Sequence, residues 1–171
     1  MLKLEIQKFA ESDLMDIMSH HELHYFGDST GENITLGGVI TELTENANPT
    51  ESEKQYIHEK SKRMTVTGYS NEFPITMDMV KNDAVYDDFY ELFEQRKTGS
   101  ALKRDHYIVK LWKPVTGSQN TYECRKINQT VSITEATNAP GEQKTMSGSL
   151  KGGDFIFGTF NIETKKFTEN A

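Results

Sequence analysis

The run Ile34–Met79 reads ITLGGVITELTE, then NANPTESEKQYIHEKSKR, then MTVTGYSNEFPITMDM, and it carries the strongest signal in the chain. Two apolar-patterned segments flank a polar excursion, Asn46–Arg63, rich in Glu and Lys. Hairpins in compact domains close in about two to five residues. A longer loop is entropically unfavourable to keep unless it holds something. The expectation is a domain that works by contact with other copies or partners, not by chemistry in a pocket.

Working outward, most of the chain reads as strand. Ile34, Leu36 and Ile40 share one face of a strand that Gly37 and Gly38 weaken or bulge. Tyr107, Val109 and Leu111 alternate with Ile108, Lys110 and Trp112, a strand partly buried on both faces. Ile127, Val131 and Ile133 alternate with Asn128, Thr130, Ser132 and Thr134, and Gln129 alone breaks the apolar side. That pattern is a strand with one face in a core and one in water or at a polar interface. Ile156, Phe160 and Ile162 line one side of a further strand, Phe155 and Phe157 the other, with Gly158 marking a bulge.

One helix is expected at about residues 83–97, capped by Asn82 or Asp83. Val85, Phe89, Leu92 and Phe93 form its apolar stripe. Asp87, Asp88, Glu91, Glu94 and Gln95 face away, and Asp87 and Asp88 read as a solvated face. Arg96 and Lys97 favour the C-terminal dipole, and Gly99 serves as C-cap. Burying the stripe contributes roughly 6–10 kcal/mol before entropy. One helix among about seven strands implies a β-sandwich or half-open barrel with a flanking α-helix. Residues 32–171 form that single domain, with an interaction loop at about 46–63. Residues 1–31 read as an N-terminal arm ordered against a neighbour, or as a short helix carrying Leu14, Ile17 and Met18 after Ser12.

Composition narrows the function class. The chain has 171 residues, 26% charged, with a net charge of -7. No apolar run approaches the ~20 residues of a membrane helix, and the N-terminal residues do not read as a signal peptide. The single Cys124 forbids an internal disulfide and suits a reducing compartment. Gripping a nucleic-acid backbone nonspecifically needs a basic face, and this chain is acidic.

No motif for catalysis emerges. His20 and His24 stand at i and i+4 and are the weak candidates for a metal site. The zinc-protease pattern fails from either His20 or His21, because Glu22 or the second His falls out of place. Gly148-Ser149-Leu150-Lys151-Gly152-Gly153 lacks the phosphate-loop spacing and reads as a turn between strands. Cys124 has no base implied by spacing and reads as inert. Tyr86, Phe89, Tyr90 and Phe93 read as core at helical spacing. No catalytic residue, cofactor or metal is expected.

The run ITELTENANPTESEKQYIHEKSKRMTVTGYSNEFPITMDM resembles the major tail, or tail tube, proteins of long-tailed phages of Gram-positive hosts. DAVYDDFYELFEQRKTG resembles that family's single helix, and MSGSLKGGDFIFGTFNIETKKF is similar to its closing strands. The resemblance spans about residues 32–167; the N-terminal MLKLEIQKFAESDLMDIMSHHELHYF departs from the family's short start. It implies the tail-tube fold, six copies in a ring with sheets joined into an inner barrel, and rings stacked through a long loop and terminal arms. It implies a virion tail protein assembled in the host cytoplasm, with tape measure, tail terminator and distal tail proteins as partners. DNA would pass through without specific binding, and no membrane is involved. Subunit-interface candidates are Asn46, Pro49, Glu53, Lys54, Tyr56, Glu59, Lys62 and Arg63, whose mixed charges would pair across an interface. Channel-lining candidates are Asn128, Thr130, Ser132 and Thr134. Other readings are the inner tube of a contractile tail or tail-like particle, a monomeric β-barrel binding a small molecule, and a metal enzyme using the histidine cluster.

Overall fold

The computed structural model describes residues 16–170. Eleven strands and one α-helix follow in the order β1 (Glu22–Gly27), β2 (Ile34–Leu36), β3 (Ile40–Leu43), β4 (Pro49–Lys54), β5 (Arg63–Tyr69), β6 (Glu72–Asp78), α1 (Ala84–Glu94), β7 (Lys103–Pro114), β8 (Thr121–Thr137), β9 (Thr145–Lys151), β10 (Phe155–Asn161) and β11 (Lys166–Glu169). Nine of the strands make one antiparallel sheet in the order β2-β1-β7-β8-β9-β6-β3, with β10 paired to β8 and to β11. Strands β4 and β5 pair only with each other.

Strand β8 is the spine. One edge pairs with β7. The other pairs first with β10, through Thr121–Ile127, and then with β9, through Thr130–Thr137. The β9–β10 turn fits the fork between them, and there Gly152 and Gly153 take positive φ of 79° and 87°. A Cβ on Gly153 would stand 2.2 Å from the Asn128 carbonyl oxygen, so only glycine fits. Buried Asn71 fixes the turn, donating from Nδ2 to the Gly153 carbonyl and accepting at its own carbonyl from Gly152 N–H. Gly148, expected in this turn, lies inside β9. Its Cβ would meet Ser132 O at 2.3 Å, where β8 carries a bulge.

The main core lies on one face of the sheet, under α1. Phe73, Ile75 and Met77 of β6 meet Ile127 and Val131 of β8, Met146 and Leu150 of β9, and Val85, Phe89 and Leu92 of the helix. Each fully buried side chain of this size is worth ~1.5–3 kcal/mol. Phe93 packs half-buried at its margin, as do Tyr86 and Tyr90. A second cluster, Tyr25, Tyr107, Val109, Cys124 and Phe160, lies on the other face of β1, β7, β8 and β10, with Phe167 of β11 packed against it. The architecture is mainly β with one flanking helix, as the alternation patterns imply.

Several expectations change. Asp83 caps α1, accepting from Val85 and Tyr86 N–H at 3.0 Å. The helix ends at Glu94, short of residue 97. Arg96, not Gly99, takes the left-handed position after it (φ 50°), and Lys97 N–H closes the last turn on Leu92 O. Asp88 is not merely solvated, because it pairs with Arg104. Ile34, Leu36 and Ile40 do not share a strand: β2 and β3 stand at opposite ends of the sheet order, divided at Gly37-Gly38. Gly158 makes no bulge in the β8 register. It is needed where β11 approaches, since its Cβ would lie 2.3 Å from Thr168 O.

Within the span expected to be an arm, residues 1–31, part of the described stretch is a strand of the main sheet. Glu22–Gly27 is strand β1, and Tyr25 and Phe26 are 6% and 3% exposed in the two cores. Pairing with β7, more than eighty residues on, settles its place, and no local signal reports that. Ile17 and Met18 are exposed; Ser12 and Leu14 lie outside the described residues.

Candidate functional site

The strands β8, β9, β6 and β3 have two unlike faces. Alternation puts Phe73, Ile75 and Met77 of β6 into the core, which turns Glu72, Pro74, Thr76 and Asp78 the other way. The register aligns these with β9 and β8 in rows. Glu72 stands beside Lys151 and Thr130, then Pro74 beside Ser149 and Ser132, Thr76 beside Ser147 and Glu135, and Asp78 beside Thr145 and Thr137. Glu42 of β3 extends the third row, and Lys103 of β7 extends the first. Neither core cluster takes a side chain from these rows. The face is built of Ser, Thr, one Pro and charged groups. Lys151 pairs with Glu72 at 3.0 Å, leaving the acids Glu42, Asp78 and Glu135 without a cation partner among the described residues.

Pro74 is tolerated in this strand for a local reason. Its carbonyl accepts from Thr44 N–H, so its ring nitrogen points to the same edge, where β3 has already ended.

Of the sequence candidates, Thr130 and Ser132 belong to this face, half-buried between neighbouring strands. Asn128 shares their side of β8 and donates to Asp105 Oδ1 at 2.7 Å. Thr134 departs from the pattern. It is the inserted residue of the β8 bulge, and its hydroxyl donates to Ser147 O. Beyond the bulge the odd-numbered Glu135 and Thr137 take its place. Ser147, Ser149, Thr145, Thr76 and Pro74 were not singled out from the sequence. The alternation of β6, with Phe73, Ile75 and Met77 at every second place, was the signal available.

The excursion 46–63 is no irregular loop. Pro49–Lys54 and Arg63–Tyr69 zip into a hairpin, with a bulge between Thr50 and Glu51. Asn46 stays on the main sheet, bridged to Glu72. One hairpin face carries Pro49, Glu51 and Glu53 opposite Tyr69, Val66 and Met64, which are 66%, 46% and 61% exposed. The tip presents Tyr56 and a fully exposed Ile57. Four of the charged candidates pair within the hairpin, Lys62 with Glu53 at 2.7 Å and Arg63 with Glu59, while Lys54 has no acid partner among the described residues. Arg63 also lies over the Tyr56 ring. An isolated two-stranded hairpin is marginal in water, and no residue of this one enters either core cluster.

The histidines do not converge. His20 is exposed in a short 3-10 turn, Ser19–His21, while His24 lies in β1, so the helical i, i+4 geometry is not formed. Among the described residues no group of three or more metal-capable side chains occurs. His24 instead joins a polar seam through the main core. Its Nδ1 lies 3.1 Å from His106 Nε2, and His106 Nδ1 lies 3.0 Å from Gln129 Oε1. With Gln129 accepting from His106 Nδ1–H, His106 Nε2 accepts from His24 Nδ1–H. Burial pushes His106 down to about 3 and His24 down to about 4. This seam explains why Gln129 interrupts the apolar side of β8. Cys124 is buried, and burial pushes its thiol up to about 12. No helix among the described residues is long and apolar enough to cross a membrane.

No family model and no curated protein matches the chain in sequence. In structure it is similar to the SPP1 tail tube solved by solid-state NMR and cryo-EM, with a TM-score of 0.66 and 11% identity over 83% of this chain and 78% of that one. It is also similar to a chain in the virion of a native gene transfer agent particle, with a TM-score of 0.59 and 7% identity over 83% and 98%. A third likeness is to the PVC sheath–tube complex of an extracellular contractile injection system, with a TM-score of 0.58 and 8% identity over 85% and 93%. With its large antiparallel sheet and, among the described residues, a single flanking α-helix, the chain has the fold of a tail tube protein.

Proposed function

We propose that this chain is the structural subunit of a phage tail tube, assembling into stacked hexameric rings that form a channel for DNA passage into the host. The observation that carries this reading is the two-faced sheet. One face of β8-β9-β6-β3 is a packed core, and the other is a wide field of Ser, Thr and mostly acidic groups. Such a wall keeps water and does not grip a phosphodiester backbone. Six-fold order is supported by two structural neighbours, an anti-feeding prophage baseplate and a gene transfer agent tail, both described with that symmetry. The hairpin, lacking apolar support of its own, serves as a contact between subunits. The protein works in the virion tail after assembly in the host cytoplasm. Its partners are further copies and the tape measure, tail terminator and distal tail proteins. Its role is architectural rather than enzymatic.

A second reading, the inner tube of a contractile tail or tail-like particle, is favoured by the likeness to the PVC sheath–tube complex. Co-assembly with a sheath protein separates the two. A small-molecule module needs a closed apolar cavity inside a stable monomer, whereas Phe73, Phe89 and Phe160 fill the two cores at 0% exposure. Negative-stain electron microscopy of concentrated protein tests the main reading. Hollow rods or rings with six-fold end views are expected, and a monomer that stays dispersed at every concentration would refute it.

A further inference from the structure

A slot of about 490 Å³ opens between β1 and β3. Leu23, Leu36, Ile40 and Leu43 line it, and Leu36 is 40% exposed. Leu23 packs at the margin of the second cluster, and Ile40 and Leu43 pack at the margin of the main core, so apolar surface from both cores reaches solvent here. Both walls are open strand edges. Among the described residues β3 pairs only with β6, and β2 covers β1 only from Tyr25 onward, apart from Gly37 N–H donating to His24 O. Glu22, the one acid lining the slot, already faces His24 Nε2 at 3.5 Å, so the fit on offer is apolar rather than charged. Apolar surface beside an open edge invites an added strand.

The chain carries a segment of that character. Residues 2–7, outside the described residues, read Leu-Lys-Leu-Glu-Ile-Gln, with Leu2, Leu4 and Ile6 at every second place. Alternation of this kind marks a strand with one face to bury. The slot is also where this segment is tethered, because Ser19 and His20 line it just ahead of β1. The link from Gln7 to Ser19 reaches up to about 40 Å when extended, ample to fold back across the slot. Tethering gives the chain's own segment an effective concentration that a separate copy in dilute solution does not reach.

We propose that residues 2–7 add as a strand in the slot of their own chain, along the open edge of β3, with Leu2, Leu4 and Ile6 against Leu23, Leu36, Ile40 and Leu43. The added strand bridges the gap between β1 and β3 and covers the apolar surface that they leave bare. It is an internal strap rather than a contact between copies, and it stands independently of the tail tube reading.

Cross-linking tests it, because buried Cys124 gives no background. The variant Glu5→Cys with Thr41→Cys is treated with a short bis-maleimide, and the products are separated by size and mapped by mass spectrometry. Glu5 lies on the polar side of the segment and Thr41 is exposed on β3, so neither change touches the apolar fit. A link within one chain is expected. Adding Leu4→Asp and Ile6→Asp keeps the tether but removes the apolar face, and the link should then form about tenfold more slowly or worse. Equal rates would mean a tether that never docks, and would overturn the inference. Links only between chains would give the slot to a second copy and also overturn it. An apolar dye, anilinonaphthalene sulfonate, gives an independent reading on the chain with its native residues at 5 and 41. Leu4→Asp with Ile6→Asp should raise its fluorescence severalfold by uncovering the slot, and unchanged fluorescence in the folded variant counts against the strap. Both readings are made on single chains, so failure to form rings or rods would strike the tail tube reading and leave the strap standing.

Discussion

The guanidinium of Arg104, 3% exposed, grips the Asp88 carboxylate with two bonds, Nε to Oδ2 at 2.6 Å and Nη2 to Oδ1 at 2.7 Å. Its Nη1 donates to the carbonyls of Ala101 and Lys103. This fork ties the start of β7 to the middle of α1. Asp88→Ala leaves a buried cation without its counter-charge, so the expected loss is ~3–5 kcal/mol, read as a lowered urea midpoint. An unchanged midpoint would mean that α1 is held by its apolar stripe alone.

Gly148 is expected to tolerate no side chain. An alanine Cβ would stand 2.3 Å from Ser132 O and 2.7 Å from Ile133 Cα, both backbone atoms that cannot swing away. Gly148→Ala should destabilise by ~1–3 kcal/mol or more. Gly38→Ala, with nothing within 4 Å, should stay within about 0.5 kcal/mol. Thermal melts of the two variants make the comparison; equal melts would place β8 and β9 further apart.

Stability should fall as pH drops from 6.5 towards 3. His106 and His24 stay neutral in the fold down to about 3 and about 4, chiefly because burial disfavours their charged forms, with nearby Arg125 adding to this. In the unfolded chain both titrate near 6.5, so there the unfolded state binds more protons. Each histidine then removes about 1.4 kcal/mol per pH unit until its folded value is reached. Glu22, raised mainly by burial, works in the opposite sense by taking up a proton more readily in the fold. Denaturant midpoints between pH 7 and 4 should decline more steeply for the unsubstituted protein than for His24→Gln. Parallel slopes would remove the seam from the account.

Excising residues 49–69 should leave a folded monomer. The hairpin pairs only with itself, and its roots are already close, with Ser70 N–H donating to the carbonyls of Ala47 and Asn48. Circular dichroism should keep the β signature, while sedimentation shows no polymer. Normal rods from the deletion would dismiss the hairpin as a contact.

The protein should not retain duplex DNA at physiological salt, since the polar sheet face carries more acids than cations and the chain is -7 overall. Replacing Thr76, Ser132 and Ser147 by Lys should create retention that salt weakens. Tight, salt-sensitive binding by the unsubstituted chain would contradict the channel assignment.

Much of the local structure could be read from neighbouring residues. Asp83 as cap, the Val85–Phe89–Leu92 stripe and the polar side of β8 at Thr130 and Ser132 each depend on residues within one or two turns or pleats. Side-chain direction follows backbone period at that range. Distant pairings were not legible. Strand β1 looked like an arm because its partner, β7, lies more than eighty residues away. The hairpin looked like a loop because Pro49–Lys54 carries no apolar alternation of its own.

Composition and period alone determined that this is an acidic, mainly β chain with one amphipathic helix. Tertiary structure alone decided which polar residues share a wall. A strand's pattern sets which way each side chain points, but only pairing sets what stands beside it. Glu72, Lys151 and Thr130 become neighbours solely through the β6–β9–β8 register. The bulge at Thr134 then removes one expected member and brings in Glu135, because a single inserted residue reverses the alternation beyond it.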